Sequence, residues 1–390
     1  MLRFHTAGES HGQGLLGFLS GLPAGVPVDS AYVNRELQRR QGGYGRGGRM
    51  RIEADAAQFL SGVRHGQTVG SPIAILIENR DWENWKETLA VEENPAARAQ
   101  SKPLSQPRPG HADLAGCLKF NLHDARYVLE RASARETAAR VALGALAKLF
   151  LRQLGMEVAS HVVAVGSVKL AGESVPFGRI LALRDQEIVL NCVDPETEAR
   201  MKAEVDRALK GRDTVGGTFE VVAHGVPPGL GSCGQWDEKL DGQLAQAVMS
   251  IQAVKAVEIG TGIENAAAFG SKVHDEIGYS REASRFTRPS NRAGGLEGGI
   301  TNGEDVVVRG YLKPISTLRQ PLGSVDLETK EPVKAAYERS DVCVVPAAGV
   351  IGEAMVALVL ARAFLEKFGG DSLQETRRNY DAYMQQVRNL

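Results

Sequence analysis

The sequence has 390 residues, of which 43% are hydrophobic and 24% are charged, and its formal net charge is −1. This composition excludes a disordered chain, which contains too few apolar residues to form a core. The near-neutral charge excludes a global field that would attract nucleic acid or a membrane surface. No Pro/Ser-rich linker or low-complexity tract interrupts the chain, so we expect one large domain over residues 1–390.

The first half of the chain contains short strand patterns, bounded by Gly or Pro, and two strong helix signals. Strands are predicted at 15–19, 71–78 and 160–168. A helix capped by Ser30 leads into the Arg/Gly segment RRQGGYGRGGRMR, and a capping box of Ser133 and Glu136 precedes an apolar helix over 137–154.

The second half continues without the strict strand-helix alternation of a parallel α/β sheet. Asp194 and Pro195 open a helix over 196–210, strands are predicted at 218–226 and 305–312, and Ser372 with Glu375 starts a polar last helix. Helices over 240–257 and 352–368 are apolar on nearly every side, with the second ending at Gly369-Gly370. Such helices are buried on more than one face, as they are when packed between sheets.

The cysteines and the N-terminus exclude several classes of protein. Four cysteines are scattered without a CxxC pair, so the sequence predicts neither a metal site nor a disulfide framework. The first residues lack the apolar core of a signal peptide, and no apolar run reaches the ~20 residues that span a bilayer. We therefore expect a cytoplasmic protein that has no membrane partner.

Glycine-rich charged segments separate the predicted helices and strands. Glycine allows the backbone to approach an anion closely, and the arginine fork matches carboxylate and phosphate oxygens. The repetition of such segments along the chain predicts loops that converge on anions. The segments are 8–12, 39–51, 108–113, 130–136, 291–303, 313–317 and 338–342.

Each of these segments also has an ordinary structural interpretation. His11 and His111 could be loop histidines without a catalytic role, and Asp341 could be a helix or turn cap. Lys313 could be an ordinary residue at the end of a strand. Arg135 lies in the first turn of a predicted helix, where a positive charge interacts unfavourably with the helix dipole. An anion bound at the same helix N-terminus would explain an arginine at this position. The segment 39–51 could bind RNA, although a single copy between ordered elements favours a pocket.

The motifs GESHG, RRQGGYGRG, RPGHAD, RASARETAARVA, SIQAVKAVEIG, NRAGGLEGGITNG, KPIST and RSDVCVVPAAGVIGEAM follow one another in this order. Together they resemble the chorismate synthase family over essentially the whole chain. The resemblance implies an α+β fold, a β-α-β sandwich of two antiparallel sheets enclosing helices, assembled as a homotetramer. It also implies a 1,4-anti elimination of phosphate from 5-enolpyruvylshikimate 3-phosphate, which gives chorismate and requires reduced FMN without net redox change.

The resemblance assigns binding residues, because the substrate and the flavin together bring four anionic groups to one site. The arginines implied to contact the substrate are Arg46, Arg49, Arg108, Arg135 and Arg339. The residues implied to contact the flavin are Arg40, Arg46, Arg131, Ala132, Ser133, Gln252, Ala253, Gly298, Lys313, Pro314, Ile315, Ser316, Thr317 and Arg339. Where relatives carry serine or asparagine, this chain has Ala132 and Gln252, so a hydroxyl contact is lost at Ala132.

Three catalytic residues are implied by the same matching. His11 would supply a proton to the departing phosphate, His111 would protonate or polarise the reduced flavin, and Asp341 would take the flavin N5 proton.

No Rossmann GxGxxG follows a strand, so we expect an external flavin reductase. A conventional NAD(P)H flavin oxidoreductase and an RNA-binding protein are the competing interpretations.

Overall fold

The structure is a computed structural model that describes residues 1–47, 54–95, 103–172, 174–282, 284–337 and 341–390. Arg49 and Arg339 lie outside the described residues, so their predicted anion contacts stay predictions. The described helices are α1 (Ser30–Gln41), α2 (Asp113–Phe120), α3 (Arg126–Ala132), α4 (Thr137–Arg152), α5 (Phe177–Ala182), α6 (Pro195–Lys210), α7 (Leu240–Met249), α8 (Gly262–Asn265), α9 (Gly270–Val273), α10 (Val345–Phe368) and α11 (Leu373–Arg388).

The strands are short, and several occur as two-stranded ribbons at the edges of the molecule. In chain order they are β1 (Arg3–Ala7), β2 (Gly14–Ser20), β3 (Gln58–Phe59), β4 (Val63–Arg64), β5 (Gln67–Thr68), β6 (Ile73–Glu78), β7 (Glu157–Val165), β8 (Val168–Lys169), β9 (Gly217–His224), β10 (Val254–Ile259), β11 (Gly278–Ser280), β12 (Arg285–Thr287), β13 (Leu296–Glu297), β14 (Ile300–Thr301), β15 (Val306–Leu312), β16 (Gly323–Val325) and β17 (Pro332–Lys334).

Two antiparallel sheets enclose the central helices. One sheet has four strands in the order β1-β2-β6-β3, and the other has five in the order β10-β15-β9-β7-β8. Helix α4 packs on β2 and β6, helix α10 packs on β7 and β9, and the two helices pack on each other. The predicted α+β class, with helices between antiparallel sheets, is confirmed.

Helix α10 forms the centre of the core. Pro346 lies in its first turn, where a missing N–H costs nothing, and the helix ends at Gly369, whose φ is 61°. By length and composition this helix could cross a bilayer, but 94% of its most apolar stretch is buried inside the fold. It is therefore built as the core helix of a globular domain.

A buried group of four charges ties α10 to α1 and α4. The Lys148 ammonium lies 2.5 Å from Glu36 Oε2 and also contacts Glu353, and Arg39 donates to Glu353 at 2.8 Å. Burial alone would raise the pKa of Glu353, but the Arg39 and Lys148 charges outweigh it and hold that pKa well below its usual range. The end of α1, which carries Arg40, is thereby fixed relative to the core.

Close contact between α4 and α10 depends on Gly144. A Cβ at this position would lie 2.3 Å from the Cβ of Ala354, so the two helix backbones would have to separate. We expect Gly144→Ala to lower the free energy of unfolding by ~1–3 kcal/mol, because overpacking outweighs the gain in helix propensity. Urea denaturation measures the change.

The matched control for that substitution is Gly178→Ala in α5. A Cβ there would meet nothing within 4 Å, so the change should be neutral or stabilise by up to ~1 kcal/mol. Equal unfolding free energies for the Gly144→Ala protein and the wild type would contradict the close helix contact.

Local structure differs from the sequence predictions at several places: α10 begins at Val345 rather than at 352, and three further differences concern a helix end and two caps. The helix predicted over 240–257 ends at Met249 and continues as strand β10, with Ala253 between them at a φ of 69°. The cap of α1 is Asp29 rather than Ser30. Ser133 caps a 3-10 turn before α4, and the Glu136 carboxylate bonds Thr6 and Arg140, so no reciprocal capping box forms.

Candidate active site

A cavity of about 390 Å³ opens where the ends of α1, β15 and the α7–β10 turn meet the starts of α4 and α10. Its size is in the range of small-molecule and cofactor sites. The predicted site residues that line it are Arg40, Arg46, His111, Ala132, Ser133, Arg135, Gln252, Ala253, Lys313, Ile315, Ser316 and Asp341. Segments as far apart in the sequence as Arg40 and Asp341 thus meet at one site.

Buried arginines form one wall of the cavity. Arg40 is only 3% exposed; its Nε donates to Thr137 Oγ1 at 2.9 Å and its Nη2 to the Ala134 carbonyl at 3.0 Å. Arg135, which is 4% exposed, donates to Asp55 at 2.6 Å. Asp55 lies 3.6 Å from Arg40 Nη1, so one buried carboxylate is shared by two guanidinium groups.

The pKa of Arg40 shows how the charges on that wall act on one another. Burial lowers the pKa of Arg40 to about 9; Arg135 and Arg46 act in the same direction, while Asp55 opposes them. The group remains charged at neutral pH, but its surroundings do not fully compensate the charge. An anionic ligand would supply the missing compensation.

Asp341 faces this wall from the segment that precedes α10. Its Oδ2 lies 2.8 Å from Arg46 Nη1, and its Oδ1 accepts from the Gly47 amide at 2.5 Å. The carboxylate is therefore anchored by the loop that follows α1. It is held in the cavity rather than acting as the cap of α10.

His111 enters the cavity from the loop before α2. Its Nδ1 lies 2.5 Å from Asp113 Oδ1, and the Asp113 carboxylate also accepts from Arg108 Nε at 2.8 Å. Arg108 donates to Thr317 Oγ1 at 3.0 Å as well. Arg108 thus lies behind His111 and is not among the residues that line the cavity.

His11 lies beside the cavity rather than on its wall. Its Nδ1 is 2.9 Å from Glu130 Oε1, and its ring stacks on Trp85 at a centroid distance of 4.2 Å. The adjoining Ser10 hydroxyl is 3.0 Å from that of Ser133, which lines the cavity. His11 is therefore one residue along the chain from a contact with the cavity wall.

The α7–β10 turn and the segment after β15 form the opposite wall. The Lys313 amide donates to the Ala253 carbonyl at 3.0 Å, which joins the two segments, and Lys313 Nζ bonds the Gly110 carbonyl at 2.5 Å. Gln252 Oε1 is buried and accepts no hydrogen bond within the described residues. That oxygen is an acceptor available to a ligand.

The remaining predicted contacts lie farther from the cavity. Arg131 donates to the Thr6 carbonyl and hydroxyl and is 45% exposed at its side chain. Gly298 lies in the turn between β13 and β14, and Pro314 and Thr317 neighbour residues that line the cavity without lining it themselves. The structure therefore gathers most, but not all, of the predicted residues.

Sequence reasoning missed the groups that support the predicted side chains. Asp55 pairs with Arg135, Asn79 accepts from Arg135 Nε at 3.0 Å, and Asp113 and Glu130 each contact a histidine. Asp113 and Glu130 stand inside the charged segments 108–113 and 130–136, and that position was the available signal. Within the described residues, no group of three or more His, Cys, Asp or Glu side chains could hold a metal ion.

Comparison with known proteins gives a consistent result. The family model described as Chorismate synthase matches residues 2–365. Proteins named Chorismate synthase from Acidobacterium capsulatum and Solibacter usitatus are 66% and 65% identical to this chain, with 100% of both chains covered in each case. A solved structure titled Crystal Structure of Chorismate Synthase superposes with a TM-score of 0.79 at 42% identity and covers 100% of this chain and 99% of that one. A cavity lined by arginines, with one histidine–carboxylate pair reaching it and a second beside it, thus accompanies matches along the whole sequence, and the chain belongs to the chorismate synthase family.

Proposed function

We propose that the protein forms chorismate from 5-enolpyruvylshikimate 3-phosphate by a 1,4-anti elimination of phosphate, with reduced FMN bound and no net redox change. The observation that carries this proposal is the convergence of three guanidinium groups from separate segments on one cavity. Arg40, Arg46 and Arg135 line it, while the described carboxylates that pair with them are Asp55 and Asp341. A substrate with a phosphate and two carboxylates matches that charge.

The residues present also fit a flavin phosphate ester. Arg40 Nη1 donates no hydrogen bond within the described residues, and Gln252 Oε1 accepts none, so the cavity offers both a donor for an anion and an acceptor for an N–H group. Ser133, Lys313 and Ser316 add polar groups on the same walls. Reduced FMN, when bound, supplies electron density to the allylic system as phosphate leaves and recovers it afterwards.

The apolar floor of the cavity would exclude water from that chemistry. It consists of Val344 and the first turns of α10, with Ala347, Ala348 and Ile351. Charges interact more strongly beside such a surface than in water. The arginines therefore stabilise a departing phosphate more than they would on an exposed surface.

The three proposed catalytic residues act on different protons. His11, whose imidazole is held by Glu130 beside the cavity, would supply a proton to the departing phosphate. His111 would protonate or polarise the reduced flavin, and Asp341, which is held by Arg46 and the Gly47 amide, would take the flavin N5 proton. Each residue is held by at least one partner whose distance is below 3 Å.

Further parts of the proposal rest on family membership. We propose a homotetramer in the cytoplasm that takes its reduced flavin from an external flavin reductase, with 5-enolpyruvylshikimate 3-phosphate as the small-molecule partner and with neither nucleic acid nor membrane as a partner. The net charge of −1 supports the exclusion of nucleic acid, because such binding draws on many cationic contacts.

The test of the proposed reaction is its demand for flavin. Purified protein is mixed anaerobically with photoreduced FMN and 5-enolpyruvylshikimate 3-phosphate, without nicotinamide, while chorismate absorbance and released phosphate are followed. Because no net electrons move, a catalytic amount of reduced FMN should support many turnovers. Oxidation of one flavin for each chorismate formed would overturn the proposal and favour a conventional flavin oxidoreductase.

A further inference from the structure

The strongest unassigned feature is a buried carboxylate directly behind the cavity. Asp113, at the start of α2, is 0% exposed. It accepts from the Arg108 amide at 3.0 Å, from Arg108 Nε at 2.8 Å and from Arg108 Nη2 at 3.0 Å, and it contacts His111 Nδ1 at 2.5 Å. Of these groups, only His111 reaches the cavity.

The charge of Asp113 determines the direction of its bond to the imidazole. Burial raises the pKa of Asp113, but the hydrogen bonds from His111 and Arg108 outweigh it and hold that pKa well below its usual range. An ionised carboxylate only accepts hydrogen bonds, so the proton of the 2.5 Å contact belongs to Nδ1 of His111. Arg108 Nη2 also lies 3.0 Å from Nδ1, but it is a donor whose acceptor is Asp113 Oδ1.

We propose that Asp113 is a positioning residue for the reaction: it fixes His111 in the Nδ1–H tautomer, turns Nε2 to the cavity, and stabilises the imidazolium when Nε2 takes a proton. Arg108 holds the carboxylate in place and joins it to Thr317. The link from His111 to a flavin rests on the proposed function, whereas the pairing of Asp113 with His111 does not.

Other charged groups also face this imidazole. Lys313 reaches the loop through the Gly110 carbonyl, and Arg46 and Asp341 line the same cavity. Arg108, whose Nη2 lies 3.0 Å from Nδ1, disfavours an imidazolium, as do Lys313 and Arg46, and Asp341 favours it. Asp113 is the carboxylate in direct contact with the ring. Removing its charge should therefore affect the imidazole more than removing the charge of Asp341.

A purely structural role for Asp113 makes different predictions. An acidic residue in the first turn of α2 favours the helix dipole, and its bond to the Arg108 amide stabilises the turn. Such a role would affect stability, but it would not select a tautomer of His111. The tautomer is therefore the decisive measurement.

The first experiment is ¹⁵N NMR of histidine-labelled protein without flavin or substrate, with the His111 signals assigned by their loss in His111→Gln. We expect the Nδ1–H tautomer to predominate for neutral His111 in the wild type. A predominant Nε2–H tautomer would overturn the proposal without any variant of Asp113.

The second experiment compares Asp113→Asn with Asp275→Asn. Asp275 is a matched control, because it is held by Ser290 and two backbone amides and lies away from the cavity. Asp113→Asn should remove the preference of neutral His111 for the Nδ1–H tautomer, because the amide can donate to Nδ1, and lower turnover by ~10²-fold, while Asp275→Asn changes neither. An unchanged His111 tautomer together with unchanged turnover in folded Asp113→Asn protein would overturn the proposal.

The third experiment asks whether Asp113 acts through His111. In a His111→Gln background, Asp113→Asn should lower turnover by less than ~2-fold further, because residues that act as a unit are non-additive. An undiminished loss in that background would show a separate role and overturn the inference. If the wild type forms no chorismate, the proposed function falls, but the NMR measurements still decide the pairing.

Discussion

Replacement of His11 or His111 by Ala, or of Asp341 by Asn, should lower chorismate turnover ~10²–10⁴-fold, the usual effect of losing one positioned acid or base. The three groups lie in or beside one cavity and are each anchored by a charged partner: Glu130, Asp113 and Arg46. Anaerobic turnover with excess reduced FMN measures the loss. Oxidised-FMN binding and the unfolding transition should remain close to those of the wild type.

The pH dependence separates the roles of these residues. A required acid is lost on the alkaline side, so the His11 variant should lose the alkaline limb of the profile; a required base is lost on the acidic side, so the Asp341 variant should lose the acidic limb. His123→Ala, at an exposed histidine outside the cavity, is the control and should behave as the wild type. Near-normal turnover with an unchanged pH profile in the His11 and Asp341 variants would contradict their catalytic roles. The arginines and the flavin would then carry out the elimination alone.

Loss of Arg46 should weaken ligand binding by ~2–5 kcal/mol, because truncating the cation of a buried charge pair leaves the anionic group of the ligand uncompensated. Its side chain is 11% exposed and holds Asp341 at 2.8 Å on the cavity wall. Titration of Arg46→Ala with oxidised FMN and with 5-enolpyruvylshikimate 3-phosphate measures both affinities. Arg339, outside the described residues, is expected to behave similarly from the family resemblance alone.

The control for the arginine is Arg377→Ala on the exposed face of α11. A change below ~1 kcal/mol is expected there, as for other exposed charges. Equal losses at Arg46 and Arg377 would show that the predicted anion loops do not converge on the ligands.

Local sequence patterns predicted much of the sandwich. The strand predicted over 305–312 corresponds to β15, which spans Val306–Leu312, and the cap and proline at Asp194 and Pro195 open α6 as expected. These elements carry their own signals, because β-branched runs bounded by glycine and capped helix starts depend on neighbours in the sequence. The all-round apolar segment after Gly352 likewise indicated a helix between two layers.

Contacts between distant residues could not be predicted in this way. The partner of His11 is Glu130, 119 positions away, and the partner of Arg135 is Asp55, 80 positions away. The end of α7 at Met249 also depends on tertiary structure, since the left-handed Ala253 is stabilised where its carbonyl accepts from Lys313. An alanine carries no local signal for that conformation.

The partly compensated charge of Arg40 links the stability of the fold to its ligands. Because its pKa of about 9 lies below the ordinary value, keeping Arg40 charged opposes folding at neutral pH. An anion placed against its Nη1 would offset that contribution, and any ligand that binds only the folded chain shifts the folding equilibrium further. Binding of an anion at this guanidinium should therefore raise the free energy of unfolding.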